Sequence, residues 1–159
     1  HKEYRRQRQM CIRDSVKALL PPPTRRGMVL IDPSYEDKHD YRRTLITVKE
    51  CVKRFATGTI AVWYPLVQRR EASEMARHFE NLKVKSWLHA TLTVKKATID
   101  GYGLHGSGMF LINPPWTLHE GLKQAMPYLA RELGQDERAG FTLQYRENPF
   151  PVPKKQSDD

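Results

Sequence analysis

The chain has 159 residues, 39% hydrophobic and 28% charged, which is enough apolar material for one core and too much for a disordered segment. Its 27 Lys and Arg against 18 Asp and Glu leave a formal charge of +9, which favours polyanionic partners; a basic domain with no such partner is the alternative. No run reaches the roughly 20 apolar residues of a membrane span, no signal peptide is visible, and Cys11 and Cys51 stand alone, so a cytoplasmic protein without disulfides is expected.

The first fifteen residues, HKEYRRQRQMCIRDS, show neither helical nor strand periodicity. MCIRDS resembles a translated sequencing adapter, so residues 1–15 are set aside as a non-homologous leader. From Val16 the pattern becomes regular. VKALL reads as a helix end halted by Pro21, Pro22 and Pro23. The unbroken apolar run Met28 to Ile31 predicts a central strand buried on both faces. Tyr41, Leu45, Val48, Val52 and Phe55 fall at helical spacing over 40–57, with Gly58 as the cap beyond them.

TIAVWYPLV, 59–67, is rich in β-branched and aromatic residues and predicts a second strand. Ala72, Met75, Ala76, Phe79 and Leu82 mark a second helix, and VKSWLHATLTV, 84–94, alternates with the period of a strand. A glycine-containing loop leads into the strand SGMFLIN. Thr117 and Glu120 then supply a capping box for a helix carrying Leu118, Leu122, Met126, Leu129 and Leu133, kinked by Pro127 and ended by Gly134. GFTLQYRE is the last strand, and a loose tail follows it. This order implies an α/β fold, a parallel sheet with crossover helices and an antiparallel edge, with functional residues at the carboxyl ends of strands.

GYGLHG, 101–106, spells GxGxxG, but a phosphate-binding loop needs a helix after it and here a strand follows, so it reads as a strand connection. His39, His78, His89, His105 and His119 have no metal-ligand spacing, and no metal is expected. Ser107 lacks the frame of a nucleophile elbow.

The stretch GMVLIDPSYED, 27–37, is different: a greasy run stops at an acid, a proline and an aromatic. Methylating an exocyclic amino group is hard because the nitrogen lone pair is delocalised into the base. A carboxylate, Asp32, and a carbonyl held by Pro33 can accept both N–H groups and draw the nitrogen toward a tetrahedral form. An aromatic two residues past the proline, Tyr35, can stack on the extruded base. The competing reading is a strand-ending turn with Asp32 as a cap and Tyr35 as a core ring. Asn113, Pro114, Pro115 and Trp116 match the general motif better, yet they precede a helix directly on a strand expected near the sheet edge, and are assigned a structural role. Arg25 and Arg26 lead into the candidate catalytic strand and are candidate phosphate contacts of a bound RNA.

LLPPPTRRGMVLIDPSYEDKHDY, KRFATGTIAVWYPLV and GSGMFLINPPW, three blocks in order over about Val16 to Tyr145, resemble the carboxyl-terminal half of the RlmJ-type 23S ribosomal RNA adenine-N6 methyltransferases. The resemblance implies a Rossmann-like class I fold, of which 16–145 would be the C-terminal half and 146–159 a flexible tail. It implies S-adenosylmethionine as methyl donor and 23S rRNA as partner. Asp32, Pro33 and Tyr35 would match the family's DPPY motif, with Asp32 also beside the donor, and Ser34 replaces its second proline. The family's glycine-containing cofactor loop would lie upstream, so a fragment inactive alone is expected. Two alternatives stay open, a non-catalytic RNA-binding module and a DNA adenine-N6 methyltransferase; no oligomeric state follows.

Overall fold

The structure is a computed structural model that describes residues 15–99 and 103–147. The leader through residue 14, residues 100–102 with the start of GYGLHG, and the tail from 148 lie outside the described residues. A short helix, α1 at 15–19, precedes β1 (Met28–Ile31), α2 (His39–Arg54), β2 (Thr59–Leu66), α3 (Arg70–Glu80), β3 (Ser86–Thr93), β4 (Gly106–Ile112), α4 (Leu118–Leu133) and β5 (Gly140–Glu147). The element order is the expected one. Among the described residues, no helix is long and apolar enough to cross a membrane.

The five strands form one sheet in the order β1-β2-β4-β3-β5. β1 and β2 are parallel, joined by the crossover helix α2, while β4 runs antiparallel to both β2 and β3, and β5 antiparallel to β3. Alternation along each strand separates two cores. Ile31, Ile60, Val62, Phe110 and Ile112 meet Val48 and Cys51 of α2 and Met75 and Phe79 of α3 on one face. Ala61, Leu88, Ala90 and Leu111 meet Leu118 and Leu122 of α4 on the other. The amphipathic stripes of α2 and α3 are what seat these helices.

Four local expectations are corrected. β4 was expected at the sheet edge but lies between β2 and β3, since its register with both neighbours satisfies both of its edges. β1, expected buried on both faces, is the outer strand of the sheet among the described residues, and it alternates: Ile31 is buried, whereas Met28 is 64% and Leu30 58% exposed. A run of four apolar residues does not reveal which strand will have a neighbour. The Thr117–Glu120 capping box does not form; Thr117 makes no side-chain cap, and Glu120 instead accepts from Lys123 Nζ at 2.8 Å. Gly58 lies beyond the α2 cap, which is Phe55, and its N–H donates to the Phe55 carbonyl at 3.0 Å.

One polar pair is built into the first core. Tyr64 on β2 and His89 on β3 reach across β4, with the hydroxyl 2.6 Å from His89 Nε2. The space between them exists because the intervening residue is Gly108, where a Cβ would fall 2.3 Å from the Tyr64 ring. Burial pushes Tyr64 up to about 12 and pushes His89 below its ordinary value, so the neutral imidazole is the form the core accepts.

Gly108→Ala is therefore expected to destabilise the fold by about 1–3 kcal/mol, because the methyl must displace the Tyr64 ring; urea unfolding measures it. For His89, a folded pKa below the ordinary 6.5 means the unfolded chain binds the proton more tightly. Stability from this group is present above the unfolded value and lost as pH falls through it toward the folded one. Unfolding midpoints between about pH 7 and pH 5 should drop more steeply in the native chain than in His89→Gln.

Candidate active site

Asp32 leaves β1 at its carboxyl end. The Ile31–Val62 pairing places Asp32 level with Trp63 of the parallel strand β2. Asp32 and Ser34 are exposed and Pro33 is half-buried. Among the described residues no hydrogen bond or ion pair occupies the Asp32 carboxylate. Both of its oxygens are thus open to donors from a ligand.

The chain around that acid is held firmly. Tyr35 has φ +54°, a left-handed conformation that costs an ordinary side chain energy and is kept only where neighbours fix it. Its hydroxyl donates to the Trp63 carbonyl at 2.8 Å, and its ring lies 4.7 Å from that of Tyr41 and 6.2 Å from that of Trp63. Burial drives the Tyr35 pKa well above the ordinary phenol value, so it remains a donor. From the start of α3, Arg69 Nη1 donates to the Tyr35 carbonyl at 3.3 Å and to that of Glu36 at 3.5 Å. At the start of α2, Asp37 Oδ1 accepts from the His39 backbone N–H at 2.9 Å and lies 2.7 Å from His39 Nδ1, while Arg43 reaches Asp37 at 3.4 Å and Asp40 at 3.1 Å. The backbone N–H of His39, more than its ring, holds the Asp37 carboxyl below its usual range.

In this conformation the Tyr35 ring is turned inward, packed against Tyr41 and Trp63. The residue is 3% exposed and offers no ring face to a base in this conformation. Tyr35 acts here as the anchor of the loop that displays Asp32 and Pro33. The sequence did not single out Arg69 or the Trp63 carbonyl; a main-chain acceptor leaves no mark in side-chain patterning, and Arg69 sits beside Arg70 in an Arg–Arg pair that looks like Arg25–Arg26 and Arg42–Arg43.

The remaining candidates lie elsewhere. Because β4 is antiparallel, Asn113 emerges beside Thr59, at the opposite end of the sheet from Asp32. Asn113 has φ +50°, and its Nδ2 donates to the carbonyls of Ala56 at 2.8 Å and Gly58 at 3.0 Å, while its own carbonyl accepts from Thr59 Oγ1 at 2.9 Å. Its side chain is used up in tying the α2–β2 turn to the end of β4. Arg25 and Arg26 also sit at that far end, ahead of β1, and are not brought near Asp32. Among the described residues, no group of three His, Cys, Asp or Glu is arranged to hold a metal ion.

The fold and site define an α/β protein with a mixed five-stranded sheet that presents an unpaired acid, on an anchored loop, at the carboxyl end of a parallel strand pair. The family model described as ribosomal RNA large subunit methyltransferase D, RlmJ, matches residues 5–146, and the chain belongs to this family. It is 42% identical over 130 residues to ribosomal RNA large subunit methyltransferase J of Haemophilus influenzae, covering 82% of this chain and 46% of that protein. The Escherichia coli protein of the same name is 42% identical over 118 residues, 74% of this chain and 42% of that one. The chain thus spans about half the length of the curated relatives it matches. A crystal structure of protein LPL1258 from Legionella pneumophila superposes with a TM-score of 0.72 at 29% identity, over 86% of this chain and 49% of that one.

Asn113→Ala should cost about 2 kcal/mol, because two carbonyls at a part-buried turn lose their donor. Thermal unfolding measures the loss, and amide exchange should rise at the α2–β2 turn while the 32–36 loop keeps its protection.

Proposed function

We propose that the chain is the C-terminal half of a Rossmann-like class I methyltransferase that transfers a methyl group to N6 of an adenine in 23S rRNA, acting in the cytoplasm. The observation that carries this reading is the open Asp32 carboxylate beside Pro33, on a loop pinned by Tyr35 and Arg69, in a chain of this family. The fit to the cofactor is partial: Asp32 is the one residue assigned to it, and GYGLHG is followed by a strand, which is the wrong setting for a cofactor loop. When bound, S-adenosylmethionine supplies the methyl group.

The residues present handle the acceptor. Asp32 and the Pro33 carbonyl accept the two N–H groups of the adenine amine, which withdraws its lone pair from the ring and aims it outward. Once methylated, the amine would be cationic, and Asp32 is placed to take up the proton it releases. The pinned loop is preorganised for this, so little is spent on ordering it at the moment of reaction. Tyr35 contributes through the loop rather than through contact with the base.

In the full-length enzyme carrying these residues, Asp32→Ala should lower methyl transfer to unmethylated 23S rRNA by about 10²–10³-fold with rRNA affinity unchanged. Asn113→Ala should retain transfer per folded molecule. An active Asp32→Ala enzyme with a dead, folded Asn113→Ala enzyme would show that the other motif carries the chemistry.

A further inference from the structure

We infer that the end of the sheet opposite Asp32 is a second RNA contact surface, which grips a single-stranded segment of the substrate away from the target adenine. This inference rests on the proposed function for the identity of the substrate, but its observations are separate. The strand registers bring one set of residues to this edge. Met28 pairs with Thr59, Ile60 with Ile112, Ile112 with Trp87 and Trp87 with Arg146. Arg25 and Arg26 ahead of β1, Trp116 after β4, Lys83 and Lys85 ahead of β3, and Arg146 on β5 therefore line the same edge. With about 4.8 Å between strands, the five strands span about 19 Å. Trp116 follows the central strand β4, with bases on both sides.

All five bases are exposed, and among the described residues none of them is in an ion pair. The strand ends and connections at this edge add a single acid, Glu147. At the other end, Lys38, Arg69, Lys95, Lys96 and Arg138 are matched one for one by Asp32, Glu36, Asp37, Asp136 and Glu137. The surplus positive charge of the strand connections thus lies away from the candidate active site, and it does not depend on the leader.

Trp116 gives this edge its character. It is 90% exposed, the largest apolar surface a residue can offer, on a loop with little freedom. Pro114 and Pro115 precede it, the four hydrogen bonds of Asn113 fix the loop's start, and the Leu118 N–H donates to the Pro115 carbonyl at 3.0 Å. A rigid, bare indole flanked by Arg and Lys is the arrangement that stacks an unpaired base while cations follow the phosphates. An acidic protein would use the charges but leave the indole without a flat partner.

The test uses this chain and a short fluorescein-labelled single-stranded RNA, read by anisotropy over a range of salt. Binding should weaken steeply with salt. Lys83→Ala with Lys85→Ala should weaken it by about 10-fold and lower the log–log salt slope by about 1–2. Trp116→Ala should cost about 5-fold or more, and Trp116→Phe should largely retain affinity. The inference is overturned if the chain does not bind the RNA, or if these edge variants bind as the native chain does. It is equally overturned if polyglutamate displaces the RNA at equal charge concentration, or if sedimentation shows a dimer that Trp116→Ala dissolves. Normal binding by the edge variants with a normally active enzyme sinks this inference alone; an active Asp32→Ala enzyme sinks the site assignment alone.

Discussion

Strand β4 runs antiparallel between β2 and β3, and its direction governs where every other feature of the molecule can act. With both of its edges paired, it joins the parallel pair β1–β2 to the β3–β5 ladder in one continuous sheet. Because it points the other way, the motif at its end is delivered to the opposite edge from the motif at the end of β1. Two proline motifs of similar appearance are thus separated by the length of the strands. The same insertion requires Gly108 at the crossing point, since Tyr64 and His89 must meet over the top of β4.

The candidate active site follows from a contrast in burial across four residues. Asp32 faces solvent without a partner, while Tyr35 is driven into the core and bonded to the main chain of β2. A positive φ at Tyr35 is tolerable because three separate holds oppose its relaxation: the Trp63 carbonyl, the packing against Tyr41 and the guanidinium of Arg69. The acid is displayed from a rigid base, and the aromatic residue of the motif provides that base. Where the DPPY resemblance implies a second proline this chain carries Ser34, which lacks that backbone constraint, and the two anchors from β2 and α3 supply others.

Much of this was legible in the residues. The spacing of Ala72, Met75, Ala76 and Phe79 describes α3, the alternation through β3 is real, and the abrupt stop at Asp32 does mark the carboxyl end of a strand. The misreadings share a cause. Met28 to Ile31 look the same in a central strand as in an outer one, and Thr117 with Glu120 looks like a capping box whether or not Lys123 captures the glutamate first. In each case a local pattern had competing partners: in the first the neighbour was chosen by strand pairing far away in the chain, and in the second by a lysine three residues on.

By itself, the sequence determined the elements, their order and the presence of an acid–proline–aromatic motif, because helical stripes, strand alternation and proline stops are set by residues a few positions apart. Tertiary structure alone decided that the two motifs part to opposite ends of the sheet, that Tyr35 turns inward, and that Trp116 and five scattered bases share one edge. Those outcomes depend on strand direction and register, which arise when residues 13 to 61 positions apart pair their backbone hydrogen bonds.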